Sequence, residues 1–197
     1  MGKGVFIVFE GIDGSGKSSC MESVASALNN ANVIKTAEPT DGEIGMLIRS
    51  VTNLTAEAEA LLFVADRAQH THRIKKWIAD GNIVLCDRYY ASTLAYQAAS
   101  LDGNKVDTEW LRTLNDMVVT EPDITFLFDI DPEISIERVE SRGSKSKFEC
   151  LGYLKEVRGN YLRIAKERRF IVIDASKPKE KVFGDVIGHI QKAVTQG

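Results

Sequence analysis

The chain has 197 residues, a length typical of one domain, and we expect residues 1–197 to form a single domain. It carries 25 Lys and Arg residues against 28 Asp and Glu residues, a net charge of −3, which argues against a basic surface and predicts no nucleic-acid partner. Hydrophobic residues make up 44% and charged residues 27%, a balance that excludes a disordered, collagen-like or coiled-coil chain.

Along the chain, short apolar runs alternate with helical patterns. The predicted strands are, in order, 5–10, 33–37, 83–86, 124–129 and 170–174. The predicted helices are 18–29, 44–51, a long one from 55 or 56 to about 79, one through Trp110, Leu111 and Leu114, 132–140, and one that starts near Phe148. This alternation predicts an α/β fold in three layers, a mostly parallel five-stranded sheet with helices on both faces. Ligands of such folds bind at the carboxyl ends of the strands.

The sequence predicts neither a membrane segment nor a disulfide. The early apolar run 5–9 is broken by Glu10 and is far shorter than the roughly 18 residues that span a bilayer. The three cysteines, Cys20, Cys86 and Cys150, are widely separated and lack the paired spacing of a disulfide framework or a zinc site. We therefore expect a cytoplasmic protein without a membrane partner.

Residues 11–18 read G-I-D-G-S-G-K-S and match the phosphate-binding pattern G-x-x-x-x-G-K-[ST] in full. The segment follows the first predicted strand and opens a helix, so its backbone N–H groups should converge on phosphate oxygens. Lys17, expected to face solvent in this loop, should reach the β and γ phosphates, and the Ser18 hydroxyl should bind magnesium. The pattern predicts a P-loop NTPase fold; the alternative is a glycine-rich turn that binds no phosphate.

Asp87 follows the predicted strand 83–86, the place of the acidic residue that holds magnesium, directly or through water, in P-loop proteins. The alternative for Asp87 is a cap at the strand end. Residues 104–107 read N-K-V-D and fit a guanine-binding pattern, but the segment 100–103 before them is not typical of a strand. We therefore interpret Asp107 as the N-cap of the helix through Trp110.

Four segments occur in the order and at the spacing seen in one kinase family. They are FEGIDGSGKS at 9–18, Glu38-Pro39, LFVADR at 62–67 and DRYYASTLAYQ at 87–97. Over essentially its whole length the chain resembles the thymidylate kinases, and the last segment is the most specific because other nucleoside monophosphate kinases do not share it. The resemblance implies phosphoryl transfer from ATP to dTMP, giving dTDP and ADP, with Mg²⁺ bound, and assembly as a homodimer.

The resemblance also implies roles around the thymine base. Phe63 would stack on the ring, and Arg67, four residues further on and thus on the same helix face, would donate to a base carbonyl. By itself, a Phe at helical spacing is more often a core residue. Thr93 and Gln97 resemble the pair that reads the base, and Tyr96 resembles the ring that crowds the ribose 2′ position.

In the thymidylate kinases, arginines at two positions hold the phosphate of the acceptor. The resemblance assigns these positions to Arg49 and Arg88 in this chain. The alternative for Arg49 is a solvated surface charge. Asp13 resembles the carboxylate near the ribose 3′-hydroxyl. The implied dTMP-binding set is Asp13, Glu38, Pro39, Arg49, Phe63, Arg67, Arg88, Thr93, Tyr96 and Gln97. The implied ATP-binding set is Gly11, Ile12, Asp13, Gly14, Ser15, Gly16, Lys17, Ser18 and Arg138, with Arg138 a candidate for packing on adenine.

Two departures from the family pattern concern its basic residues. Many relatives have Arg before the Glu-Pro pair, where this chain has Ala37, and one branch of the family has Arg in the P-loop, where this chain has Gly14. In the other branch the catalytic bases lie in a small lid, which the resemblance places at 141–147. The implied catalytic residues are Lys17, Arg88, Arg142, Lys145 and Lys147. The alternative for 141–147 is a solvated loop.

Two other functions stay open at this point. One is a P-loop kinase of a different acceptor, such as a deoxynucleoside or UMP, against which Phe63, Arg67 and the segment 93–97 argue. The other is a nucleotide-dependent switch without turnover, which would retain its product tightly and hydrolyse nucleotide slowly.

Overall fold

Five parallel strands form the centre of the fold in the residues that this computed structural model describes, which are 4–28, 31–99, 105–141 and 151–195. The strands are β1 Val5–Glu10, β2 Val33–Ala37, β3 Ile83–Asp87, β4 Ile124–Asp129 and β5 Ile171–Asp174. They pair in the order β2-β3-β1-β4-β5, and each strand is parallel to its neighbour. The predicted five-stranded α/β fold is confirmed, with a sheet that is parallel throughout.

Eight helices in the described ranges cover this sheet. They are α1 Lys17–Ala27, α2 Glu43–Ser50, α3 Ala56–Ala79, α4 Tyr90–Tyr96, α5 Thr108–Asp116, α6 Pro132–Glu140, α7 Leu151–Arg168 and α8 Lys179–Thr195. α1 packs with α8, whereas α3, α4, α5 and α7 pack with one another, so the helices form two layers. None of the helices within these ranges has both the length and the apolar character needed to cross a membrane.

The central strand β1 brings three strand ends together. The four residues before Glu10 are at most 1% exposed, because β1 has a paired strand on each side and helices on both faces. In the register of the sheet, Phe9 lies opposite Asp87 of β3, and Asp87 also lies opposite Ala37 of β2. Glu10, Asp87 and Glu38 therefore meet at one edge of the sheet.

The predicted element bounds agree with the observed ones to within two residues. β3 runs one residue further than predicted, to Asp87, and β5 begins one residue later. α5 follows Asp107, whose side chain accepts a hydrogen bond from the Trp110 backbone N–H at 2.8 Å, so the predicted N-cap is confirmed. The sequence pattern did not fix the bounds of α4 and α8. The predicted helix start near Phe148 lies outside the described residues, as does the predicted lid beyond Ser141.

Candidate active site

The loop between β1 and α1 has a backbone that only glycine adopts readily. Gly11, Gly14 and Gly16 have φ angles of 144°, 77° and 86°, a region that residues with a Cβ rarely occupy. A Cβ on Gly14 would also lie 2.6 Å from the carbonyl oxygen of Ser135. The loop leads directly into the N-terminus of α1, where backbone N–H groups and the helix dipole favour an anion.

Lys17 opens α1 and is only 5% exposed. The expectation that it faces solvent is therefore wrong: its Nζ lies 3.7 Å from Asp13 Oδ1 and 3.8 Å from Asp87 Oδ1. Burial lowers the pKa of Lys17, and the charge of Arg88 adds to this, although the carboxylates oppose it. Burial acts to raise the pKa of Asp13, but the charges of Arg88 and Lys17 outweigh it, and that pKa lies below its ordinary value. A buried cation thus stands at the phosphate-binding loop.

Ser18 and Asp87, the predicted magnesium pair, are in contact. The Ser18 hydroxyl donates to Asp87 Oδ2, while Asp87 Oδ1 is buried and has no hydrogen-bond partner in the described part of the chain. No cluster of three or more His, Cys, Asp or Glu side chains within the described ranges could hold a metal ion. Mg²⁺ usually takes one or two protein oxygens and completes its shell with water and phosphate. Asp87 Oδ1, which accepts no hydrogen bond from the described residues, together with the Ser18 hydroxyl fits that pattern.

Arg88 ties the phosphate-binding loop to α4 and α7. Its guanidinium donates to Asp13 Oδ1 at 2.6 Å and to the hydroxyls of Ser92, Tyr161 and Tyr96 at 3.1, 3.3 and 3.3 Å. It also lies over the Tyr96 ring, 5.1 Å from the centroid. The backbone of Arg88 is left-handed, with φ 68°, a conformation that costs a residue with a Cβ on the order of 1–2 kcal/mol. The four hydrogen bonds of the guanidinium offset this backbone cost.

Glu10, which is fully buried, holds the start of α4. Its Oε1 accepts hydrogen bonds from the backbone N–H groups of Tyr89 and Ser92, at 2.8 and 3.2 Å. Its Oε2 accepts from the hydroxyls of Ser92 and Tyr161, at 2.6 and 3.1 Å. Burial raises the pKa of Glu10 above its ordinary value, against the opposing effects of Ser92 and Arg88. Glu10 was not predicted as a site residue; the available signal was a charge at the end of a buried strand.

Arg67, which is 1% exposed, donates to protein groups on three sides. Its Nε donates to Glu38 Oε2 at 2.8 Å, its Nη1 to Asn115 Oδ1 at 2.5 Å and its Nη2 to Thr93 Oγ1 at 3.0 Å. His70 Nδ1 lies 2.8 Å from the other Glu38 oxygen. The predicted donor to the base is therefore also the group that neutralises buried Glu38. His70 and Asn115 were not predicted.

Arg49, a predicted phosphate-binding residue, contacts the loop that follows β2. Its guanidinium donates to the backbone carbonyls of Pro39 and Thr40. Asp66 holds the same loop from α3, because its carboxylate accepts from the N–H and the hydroxyl of Thr40, at 2.7 and 2.6 Å. Arg49 thus stabilises the loop that carries Glu38 and Pro39, which are joined by a cis peptide bond.

A cavity of about 160 Å³ opens between α3 and α4. Its lining includes every predicted dTMP-binding residue except Arg49, namely Asp13, Glu38, Pro39, Phe63, Arg67, Arg88, Thr93, Tyr96 and Gln97. Glu59, Tyr89 and Ser92 also line it and were not predicted. Phe63 is partly exposed and lies outside the hydrophobic core, contrary to the alternative that it is a core residue. An aromatic face together with amide and guanidinium groups suits a planar base that carries a phosphate.

A second cavity, of about 450 Å³, adjoins the phosphate-binding loop at Gly14 and Gly16. Arg138, the candidate for packing on adenine, lines this cavity and donates to the Ala175 carbonyl at 3.1 Å. Lys177 also lines it and was not predicted. The three predicted catalytic bases Arg142, Lys145 and Lys147 lie outside the described residues.

The buried carboxylate of Glu10 predicts a pH-dependent stability. Because its pKa is raised in the folded protein, the folded state binds this proton more tightly than the unfolded state does, and the resulting stabilisation is lost as pH rises above the ordinary value of 4.5. Glu10→Gln cannot ionise. We expect its free energy of unfolding to gain on that of the wild type as pH rises from 4.5, by at most about 1.4 kcal/mol per pH unit.

Urea unfolding of both proteins between pH 4.5 and 7.5 measures this difference. Glu180→Gln, which removes an exposed carboxylate on α8, is the matched control and should keep the pH dependence of the wild type. A free energy of unfolding of Glu10→Gln that falls relative to that of the wild type as pH rises would show that folding favours ionised Glu10, contrary to this prediction.

Comparisons with known proteins agree with this geometry. The family model described as thymidylate kinase matches residues 9–186. A probable thymidylate kinase of Methanosarcina mazei is 40% identical over 194 residues, which cover 94% of this chain and 94% of that protein. Those of Pyrobaculum aerophilum and Methanococcoides burtonii are each 39% identical, covering 96% and 98% of this chain and 97% and 98% of theirs. The chain belongs to the thymidylate kinase family.

Proposed function

We propose that this enzyme transfers the γ-phosphoryl group of ATP to dTMP and releases dTDP and ADP. The observation that carries the proposal is the junction of the two cavities on the phosphate-binding loop. Asp13 lines the smaller cavity and the next residue, Gly14, lines the larger one. Two nucleotides bound there would therefore meet with their phosphates at this loop. Phosphoryl transfer depends mainly on such positioning and on the neutralisation of charge.

ATP is assigned to the larger cavity. Its adenine would pack against Arg138, and its phosphates would lie on the loop 11–16 beside Lys17. Ser18 and Asp87 would hold magnesium, which when bound neutralises charge on the phosphate oxygens. The buried position of Lys17 supports this assignment, because an ammonium group kept from water interacts more strongly with a phosphate.

The smaller cavity is assigned to dTMP. The thymine ring would stack on Phe63, and Arg67 would donate to a base carbonyl with the second N–H of Nη1, beside the one that Asn115 accepts. Arg88 would face the phosphate, and Asp13 would lie near the ribose 3′-hydroxyl. Tyr96, stacked against Arg88, would crowd the ribose 2′ position and favour deoxyribose.

The reaction would be an in-line displacement. An oxygen of the dTMP phosphate would attack the γ-phosphorus of ATP. The bond between the γ-phosphorus and the oxygen that bridges it to the β-phosphorus would break, so ADP would leave with that oxygen. A phosphate monoester is already largely dianionic near neutral pH, and no general base is required. Lys17 and Arg88 would neutralise charge from the protein side. We assign the remaining positive charge to Arg142, Lys145 and Lys147, because the P-loop has Gly14 in place of a basic residue.

We further propose that the enzyme forms a homodimer and acts in the cytoplasm. Met46 and Leu47 of α2 and Leu61 of α3 are 55%, 44% and 47% exposed on two helices that pack together. A second copy would bury these apolar side chains. Light scattering should give the mass of two chains, and a mass of one chain would contradict the dimer. Cys20 and Cys86 are buried free thiols, consistent with a reducing compartment.

Lys17→Met tests the phosphoryl-transfer function while filling the same buried space. We expect ADP release from ATP in the presence of dTMP by the wild type, and a loss of at least tenfold in kcat for the variant, because transition-state charge contacts supply several kcal/mol. Lys155→Met is the matched control, since it removes an exposed lysine of α7 that pairs with Glu133. A Lys17→Met rate above about a tenth of the wild-type rate would contradict the P-loop assignment.

A further inference from the structure

We propose that Glu59 determines base specificity by fixing the orientation of the Gln97 side-chain amide. In this orientation the site selects acceptor nucleotides whose base has a protonated ring nitrogen next to a carbonyl group. The inference rests on the proposed function, since it concerns the base of the acceptor in the smaller cavity. Glu59 lies in the first turn of α3 and Gln97 directly follows α4, and both line this cavity.

Glu59 is the cavity carboxylate that has no cationic partner among the described residues. The other two carboxylates of the lining are paired: Asp13 with Arg88 at 2.6 Å, and Glu38 with Arg67 at 2.7 Å. Gln97 Nε2 lies 3.5 Å from Glu59 Oε2, at the outer limit of a hydrogen bond. The carboxylate of Glu59 is therefore available to the amide of Gln97.

The charge of Glu59 fixes which end of the amide faces it. An ionised carboxylate only accepts hydrogen bonds, so the NH₂ group of Gln97 turns toward Glu59 and the carbonyl oxygen is left for a ligand. Gln97 is 8% exposed, and a reversed amide would turn its oxygen toward the Glu59 carboxylate and leave its NH₂ group without that acceptor. Gln97 thus presents an acceptor to the cavity.

Thr93, one helical turn before Gln97, presents a hydrogen-bond donor where Gln97 presents an acceptor. Its Oγ1 accepts a hydrogen bond from Arg67 Nη2 at 3.0 Å, and a guanidinium can only donate. The Thr93 hydroxyl therefore keeps its proton for a ligand. Thr93 and Gln97 lie four residues apart, so α4 and its C-cap present a donor and an acceptor side by side.

This pair matches thymine and uracil and mismatches cytosine. In thymine and uracil a carbonyl oxygen lies beside a protonated N3. The carbonyl oxygen would accept a hydrogen bond from Thr93, and the N3–H group would donate one to Gln97. Cytosine carries an amino group and an unprotonated N3 at the same positions, so both polarities are reversed. A site that leaves buried polar groups unpaired discriminates strongly against the wrong ligand. The 5-methyl group of thymine plays no part in this discrimination.

Glu59→Gln tests the inference, because a glutamine offers either its oxygen or its NH₂ to Gln97 and so permits both amide orientations. The measurement is kcat/KM with ATP and dTMP, dUMP or dCMP, with dCMP followed at high enzyme concentration. We expect the preference for dTMP over dCMP to fall at least tenfold in the variant. The preference for dTMP over dUMP should stay within twofold of the wild type, since both bases have the same edge.

Glu57→Gln is the matched control, because it makes the same change on an exposed residue of the same helix that does not line the cavity. Both preferences should be unchanged in this control. A dTMP to dCMP preference of Glu59→Gln within twofold of the wild type, an equal loss for all three acceptors, or no dCMP turnover in either protein would overturn the inference. Failure of the wild type to phosphorylate dTMP would instead contradict the proposed function.

Discussion

Pairing of buried charges is the constraint on which the site depends. An isolated charge in the interior costs several kcal/mol, so each buried ionic group needs partners nearby. Buried Arg67 pairs with buried Glu38, and the partly buried Arg88 pairs with exposed Asp13 of the phosphate-binding loop and joins it to α4 and α7. These pairs connect the P-loop, the Glu38-Pro39 loop and α4, which lie far apart in the sequence. The same interactions that balance charge therefore fix the geometry of the smaller cavity, whose lining includes all four of these residues.

The parallel sheet makes this pairing possible. Because all described strands run in one direction, the ends of β1, β2 and β3 lie side by side and deliver Glu10, Glu38 and Asp87 to one edge. Helices that start there supply the rest: α1 begins with Lys17, and α4 begins where Glu10 accepts from two backbone N–H groups. The grouping of these charged side chains beside the phosphate-binding loop thus follows from strand direction and from the placement of helix N-termini.

The fold could be predicted because it rests on local patterns, whereas most of the cavity lining was implied by the resemblance to the thymidylate kinases. The phosphate-binding loop, the five strands and the Asp107 cap each lie within a few consecutive residues. The partners of a buried side chain are not local: Asn115 is 48 residues from Arg67, and His70 is 32 residues from Glu38. The contact of Arg49 with the Pro39 carbonyl could not be predicted for a related reason, since an exposed arginine can reach either a ligand or a nearby loop. Burial of Lys17 likewise depends on Asp87, which only the assembled sheet brings close.

The central claim is that the acceptor base lies on Phe63 in the smaller cavity, and Phe63→Ala tests it most directly. Stacking contributes on the order of 1–3 kcal/mol per base, so we expect the KM for dTMP to rise at least fivefold. The KM for ATP should stay within twofold, and the melting temperature should change little, because Phe63 lies outside the core. Phe63→Tyr, which keeps the ring, should retain the wild-type KM for dTMP. An equal rise in both KM values together with a large drop in melting temperature would contradict the claim.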